Sequence, residues 1–344
     1  MKKFSTRLID WHDKYGRQDL PWQTGKSPYK VWISEIMLQQ TQVTTVIPYF
    51  NKFLLRFPNI EKLAESELDE VMSYWSGLGY YSRARNLYKA ALEITCKHKS
   101  KLPNSYNELV ALPGIGKTTA GAILALGFQK KAAILDGNVK RVLTRHRKIE
   151  TDLSKSSTLK KLWKLSELLL PDVRIDTYTQ AIMDLGAIVC KKKSPLCEIC
   201  PVNKDCLALK ANLVDCLPVK RKIKTKTTKH VHWLIPYSHK GRFLLQKRLN
   251  KGLWEGLWVF IEKEKEEMLK KECKSIFQIK DPSLIQIKKV KHSFSHFNLE
   301  AIPYLVKIKE KKSIKNTVWV DSKNIESLGI PSPVKKTIKE IRVP

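Results

Sequence analysis

The sequence predicts a mainly α-helical N-terminal region followed by a smaller α/β domain, and three observations carry that expectation. The stretch Leu112 to Leu143, LPGIGKTTAGAILALGFQKKAAILDGNVKRVL, opens on a glycine turn that launches an alanine-rich helical run. Near residue 229 the periodicity changes from helical spacing to short apolar or alternating runs. Between these regions stand four cysteines, Cys190, Cys197, Cys200 and Cys206, with six, two and five residues between successive members.

With 344 residues the chain has room for two domains. Sixty-four Lys and Arg against 33 Asp and Glu leave a formal net charge of +31, far more than solubility needs and of the sign that attracts a polyanion. Nucleic acid is the expected partner. An acidic membrane surface ranks below it, because no Lys-rich amphipathic helix with an aromatic face stands out. There is no membrane-spanning run, and Asp10 and Asp13 interrupt the N-terminus before an apolar run develops, so no secretory signal is expected. The expected location is the cytosol, at the nucleoid, and the expected state a monomer.

Each element follows in order. Gln18-Asp19-Leu20-Pro21-Trp22 sets a Leu-Pro-Trp in a polar run, either a packed loop or a pocket wall. Ser27-Pro28 is a helix start signal, and a helical pattern from Tyr29 to Phe53 is expected to be interrupted at Pro48. Within it Glu35 has Val31, Trp32 and Leu38 three and four positions away, on an apolar face. Desolvation there would raise the carboxyl pKa and let Glu35 donate a proton near neutral pH; a solvent-facing Glu at the stripe's edge is the alternative. Trp75-Ser76-Gly77-Leu78-Gly79-Tyr80-Tyr81-Ser82-Arg83-Ala84-Arg85 interleaves aromatics with arginines, which suits base stacking beside phosphates or, equally, core tyrosines under a basic helix face.

In the Leu112 stretch, Gly114 and Gly116 present backbone N–H groups at a helix start, a setting for a DNA phosphate or an ordinary connection between helices. The apolar run Ala132 to Leu135 stops at Asp136-Gly137-Asn138, which holds a carboxylate at the mouth of the next helix; an N-cap is the plain alternative. The four cysteines directly follow a helical segment, Thr179 to Val189. Disulfides are not expected without a secretory signal, and zinc more often takes two Cys-x-x-Cys pairs, so an iron-sulfur cluster fits better. Lys191, Lys192 and Lys193 either present charge to phosphate or form a solvated run, while Cys96, Cys216 and Cys273 read as ordinary free cysteines. Lys220 to Lys229 is a basic linker. Beyond it, His230 to Pro236, Arg242 to Lys247, Leu299 to Val306 and Thr317 to Val320 are predicted strands, and His292 to Phe297 a turn.

Together LPGIG, LDGN, the run Ser34-Glu35-Ile36-Met37-Leu38-Gln39-Gln40-Thr41-Gln42 and the cysteine spacing resemble the adenine DNA glycosylases, helix-hairpin-helix enzymes grouped with endonuclease III. The resemblance spans nearly the whole chain. It implies a helix-hairpin-helix glycosylase region with a cluster subdomain over residues 1–216, a linker 217–229, and a Nudix-like lesion-recognition domain 230–344. Its substrate would be double-stranded DNA carrying adenine opposite 8-oxoguanine or guanine, and its cofactor a 4Fe-4S cluster on the four cysteines. Glu35 would be the acid, Asp136 the carboxylate facing the sugar, and Asn138 an orienting residue. Leu20 and Trp22 would line the adenine pocket, with Gln18 standing where relatives often have a basic residue. Gln40 would wedge into the duplex, Leu78 and Tyr80 would intrude at the lesion base, and Phe294-Ser295-His296 would sit against 8-oxoguanine.

Gly252, Trp254-Glu255-Gly256 and Trp258 resemble the Nudix-like domain, but Glu262 to Glu267 lacks the metal-binding Glu pattern, so recognition without hydrolysis is expected. In endonuclease III relatives the Schiff-base lysine stands two residues after the second hairpin glycine. Here Thr118 holds that place and Lys117 lies one residue earlier, about 100° around a helix, which implies a monofunctional enzyme and leaves Lys117 to a DNA phosphate. A bifunctional glycosylase-lyase of the endonuclease III kind and a noncatalytic iron-sulfur DNA-binding protein are the alternatives. The pairing of Glu35 with Asp136 speaks against the latter.

Overall fold

A computed structural model describes residues 3–219, 225–310 and 314–341, so Lys220 to Lys224 of the expected linker lie outside the described residues. The chain forms two compact units. The first gathers the chain up to Ala64 and the stretch from Asn86 through the cysteine region; the second joins Glu65–Arg85 to everything beyond the linker. The expected division at residue 216 is therefore crossed by one segment, for a reason visible in its bonds: Ser76 Oγ donates to the Ile330 carbonyl at 2.8 Å.

The first unit is helical. Helix Pro28–Leu38 starts where expected, with Ser27 Oγ accepting from the Lys30 amide at 3.2 Å and Pro28 in the first turn. The helical pattern does not run on to Pro48. It breaks at Gln39–Gln42, where Gln40 has φ 57°, and resumes as helix Val43–Arg56 with Pro48 inside it. A left-handed residue stops the first helix, whereas Pro48 in the second turn removes one donor and leaves that helix intact.

The hairpin joins helix Tyr106–Ala111 to helix Lys117–Ala122, which continues as a wider π turn over Ile123–Gly127. Gly114 has φ +80°, and a Cβ there would stand 2.8 Å from Asn86 Cβ, so conformation and space both require glycine. At Gly121 a Cβ would meet the Ala133 carbonyl oxygen at 2.1 Å, and its absence lets the hairpin helix lie directly on the Ala132 to Leu135 strand-like run. Helix Gly137–His146 follows, and helix Ile175–Asp184 ends in a second π turn, Leu185–Val189, immediately before Cys190.

Among the described residues of the second unit eight strands form one sheet: β1 (Thr227–Tyr237), β2 (Phe243–Lys247), β3 (Trp258–Val259), β4 (Ile261–Lys263), β5 (Ile285–Gln286), β6 (Val290–Ser293), β7 (Phe297–Lys307) and β8 (Thr317–Val320). β1 begins three residues inside the expected linker, because Thr227 already pairs with Phe297 in the parallel β1–β7 ladder. β2 and β4 pair antiparallel to β1, and β5 and β6 antiparallel to β7. Helix Glu266–Phe277 covers one face of the sheet, burying Leu269, Cys273 and Phe277 against Leu234, Leu244, Ile261 and Val306. Among the described residues no helix is long and apolar enough to cross a membrane.

Candidate active site

Three segments of the first unit converge on Glu35. Helix Pro28–Leu38 carries it between the buried Val31 and Trp32. The end of that helix is tied to the hairpin helix by Gln39 Nε2, which donates to Thr119 Oγ1 at 3.3 Å. Thr118 Oγ1 in turn accepts from the Leu135 amide at 3.4 Å, fixing the residue before Asp136. Burial pushes the Glu35 carboxyl up to about 8, and the negative charge of Asp136 adds to that effect. Burial also raises Asp136, against the pull of the Val139 and Asn138 amides and of the Arg141 and Lys140 cations. Asp136 is an N-cap, accepting from Val139 N at 2.7 Å, and is also the charged neighbour of Glu35. The amides and cations about Asp136 favour its charged form, which directs the proton of the pair towards Glu35.

Asn138 is held by an arginine that the residue pattern had not singled out. Arg141 Nη2 donates to Asn138 Oδ1 at 2.8 Å and to the Gly186 carbonyl at 2.5 Å, while its Nε reaches the Cys190 carbonyl at 2.7 Å. Gly186 makes room for this, because a Cβ there would lie 2.6 Å from Asn138 Cβ. One turn on, the buried Arg145 donates to the carbonyls of Leu217 at 2.9 Å and Lys191 at 2.7 Å, with Cys190 Sγ at 3.4 Å. The available signal was two arginines four residues apart on the face of this helix that also carries Asn138.

All four cysteines line one cavity of about 30 Å³, with Arg145, Val189, Leu196, Leu209 and Val214 around them. Burial raises the Cys200 thiol to about 12 and raises Cys197 and Cys206, with the charges of neighbouring cysteines adding in each case. Such mutual repulsion marks a donor set suited to a cationic centre. Among the described residues no three His, Cys, Asp or Glu side chains are arranged to hold a single metal ion. Four cysteines around one cavity form a donor set of the kind that a metal ion or an iron-sulfur cluster takes.

The remaining positions divide. Leu20 and Trp22 are buried, with Trp22 edge-on to Phe50 at 5.4 Å, so both serve the core whatever else they line. Gln18 Nε2 donates to the Asp13 carbonyl at 3.3 Å, at the end of the first helix. Its neighbour Arg17 makes the long-range bond, Nη2 to the buried Asp184 at 2.5 Å. Gln40 is exposed in its turn. Nothing stands within 4 Å of a Cβ built on Gly116 or Gly137, so both backbones are open to an approaching ligand. Lys117 lines a separate cavity of about 490 Å³ with Tyr106, Lys131, Lys160 and Trp163.

Leu78, Tyr80 and Phe294-Ser295-His296 belong to the second unit. Leu78 is buried, while Tyr80 is exposed at φ 47° with the Arg83 guanidinium 5.5 Å from its ring. The β6–β7 turn closes through Phe294 N to the Phe297 carbonyl at 2.9 Å and leaves Ser295 and His296 exposed at the tip. The Phe294 and Phe297 rings stack at 4.7 Å, and Phe294 also packs against Trp254 at 5.7 Å. Glu262, first of the run that lacks the metal-binding Nudix pattern, pairs with Arg248 at 3.2 Å.

Residues 33–167 match the HhH-GPD superfamily of base excision DNA repair proteins, and residues 232–340 match the NUDIX domain. A hairpin helix beside a buried acid and an N-cap aspartate is the architecture of a DNA glycosylase of that superfamily. An adenine DNA glycosylase of Buchnera aphidicola subsp. Baizongia pistaciae is 41% identical over 343 residues, covering 98% of this chain and 97% of the relative. The adenine DNA glycosylase of Homo sapiens is 41% identical over 214 residues, 60% of this chain and 39% of its own. This chain belongs to the adenine DNA glycosylase family. A thermostable thymine-DNA glycosylase structure aligns with a TM-score of 0.54 at 28% identity, over 60% of this chain and 95% of its own. Endonuclease III, solved in a non-covalent complex with DNA, shares the fold at a TM-score of 0.52 and 21% identity, over 61% of this chain and 94% of its own.

Proposed function

We propose that the chain removes adenine from duplex DNA where it is mispaired with 8-oxoguanine or, less efficiently, guanine, and that it does so by hydrolysis alone. The observation that carries this is the buried Glu35, its carboxyl pushed up to about 8 by burial and by the neighbouring charge of Asp136 at the helix mouth. The adenine must leave the stack to reach them. Glu35 then protonates a ring nitrogen of adenine, making it a better leaving group, and Asp136 stabilises the positive charge that builds on the sugar. Asn138, fixed by Arg141, orients Asp136 or the attacking water.

A lyase step needs an amine at the sugar. Thr118 occupies the position beside Leu135, and Lys117 lines its own basic cavity, which favours a monofunctional enzyme. Gly114, Gly116 and Lys117 are assigned to backbone phosphates, Gln40, Leu78 and Tyr80 to the distorted duplex, Leu20 and Trp22 to the adenine pocket, and Ser295 and His296 to the lesion. Cys190, Cys197, Cys200 and Cys206 would hold a 4Fe-4S cluster, which supplies, when bound, a covalent cross-link of the loop. The protein is placed in the cytosol, working on DNA as a monomer, with its catalytic part ending near residue 216.

Single-turnover excision from duplexes carrying A opposite 8-oxoguanine, A opposite G, and thymine glycol tests the whole assignment. Excision is expected in that order of rate, with none from thymine glycol. Efficient thymine glycol removal with strand cleavage would overturn it.

A further inference from the structure

The segment Trp75–Arg85 is bonded to the sheet domain by side chains that reading the two stretches separately would not connect. Ser76 Oγ donates to the Ile330 carbonyl at 2.8 Å, and Tyr81 OH reaches the same oxygen at 3.5 Å. Arg85 is gripped at both ends of one residue: Nη1 donates to the Glu255 carbonyl at 2.6 Å, and Nη2 stands 3.2 Å from Glu255 Oε2. Behind Glu255 is Trp254, at φ 58° and buried, whose ring packs on Phe294 at 5.7 Å. Ahead of Arg85 is Arg83, whose guanidinium lies 5.4 Å from the Trp75 ring and 5.5 Å from that of the exposed Tyr80. A continuous packed path thus runs from the Ser295-His296 tip, through Phe294, Trp254 and Glu255, to Arg85 and the Tyr80 loop.

We propose that these two exposed tips form one rigid lesion reader, and that Arg85 and Glu255 are its specificity-determining positioning residues. The inference rests on the reading that Ser295 and His296 contact 8-oxoguanine. Arg85 is the residue suited to the joint, because a planar guanidinium can bind a carbonyl and a carboxylate of the same residue at once, which a lysine cannot reproduce. The bond is made to the backbone beside Trp254, so it fixes the support of the Phe294 ring and not merely the surface. A displaced joint lets each tip bind its own part of the duplex without holding the other in register. Binding of A opposite G, where Ser295 finds no 8-oxo carbonyl or N7 proton to recognise, should be little affected.

The test is the ratio of single-turnover excision from A opposite 8-oxoguanine to that from A opposite G. Glu255→Arg should lower the ratio about five-fold or more, the lower end of coupling between sites, and the charge swap Arg85→Glu with Glu255→Arg should restore part of it. In a Ser295→Ala background, Glu255→Arg should change the ratio no further, because the tip it positions has lost its contact. Glu255→Ala gives the same comparison should the arginine variant not fold. An unchanged ratio in Glu255→Arg and Glu255→Ala, with Ser295→Ala still lowering it, overturns the joint and leaves the tip's role standing. An unchanged ratio in Ser295→Ala overturns the underlying reading of the tip. A reduction by Glu255→Arg that adds in full to that of Ser295→Ala shows two independent effects and also defeats the proposal.

Discussion

Glu35→Gln should make the protein more stable and useless as a glycosylase, with the stability gain appearing only as the pH rises. Burial and the Asp136 charge raise the Glu35 carboxyl from an ordinary 4.5 to about 8. Below pH 4.5 the group is protonated in both the folded and unfolded chains and has no effect. Between those limits the folded chain holds a proton that the unfolded chain has lost, so unfolding becomes easier as pH rises; above about 8 both are ionised and the loss is complete. At about 1.4 kcal/mol per pH unit the full loss approaches 5 kcal/mol, and the surface that Glu35 keeps open to water reduces it to roughly 2–4 kcal/mol. Glutamine has the same shape and no charge, so it escapes this loss. Urea unfolding of parent and variant at matched pH gives the difference, which should be near zero at pH 4.5 and several kcal/mol at pH 8.5. In the proposed mechanism the same proton is delivered to adenine, and parental single-turnover excision should then fall about tenfold per unit above pH 8. A stability difference independent of pH would mean an ordinary, solvated Glu35 and would refute the assignment of the acid.

Other consequences are equally direct. Asp136→Asn keeps the N-cap, so excision should drop by at least 100-fold in single-turnover assays while the thermal midpoint stays within a few degrees of the parent. Arg141→Met removes the bonds to Asn138, Gly186 and Cys190 together and should lower both excision and iron content, the latter measured per chain by metal analysis. Protein purified anaerobically should contain iron and acid-labile sulfide, and Cys200→Ser should lose both; zinc in their place would refute the cluster. Borohydride should trap no covalent adduct with abasic DNA, and an adduct abolished by Lys117→Ala would overturn the monofunctional reading.

Local patterns proved the most legible in sequence. The Ser27-Pro28 start, the LPGIG turn, the Asp136 cap and the Thr317 to Val320 strand each depend on residues within a turn or two of one another. Glu35 was legible because helical spacing fixes its apolar neighbours, although its pairing with Asp136 depends on tertiary packing. The break at Gln40 was missed because proline is the louder signal, and a left-handed glutamine is sustained by bonds such as Gln39 to Thr119 across 80 residues. Arg17 with the buried Asp184 spans 167 residues and leaves no local mark. Arg141 left only a faint mark for a related reason, as three of its four partners are main-chain carbonyls, of Gly137, Gly186 and Cys190, which any residue could supply.

The bond between Ser76 and Ile330 spans 254 residues, and that span has a duration. At roughly 5–20 residues per second of synthesis, the loop emerges on the order of 10–50 s before the carbonyl that receives its hydroxyl. Through that interval Val71, Met72 and Tyr81, all buried in the finished protein, await the chain that covers their neighbourhood: Gly329 comes close enough that a Cβ there would stand 2.9 Å from Met72 Cβ. The newborn chain therefore carries an apolar seam from the emergence of Val71 until that of Gly329 and Ile330, and the Ser76 bond closes only then.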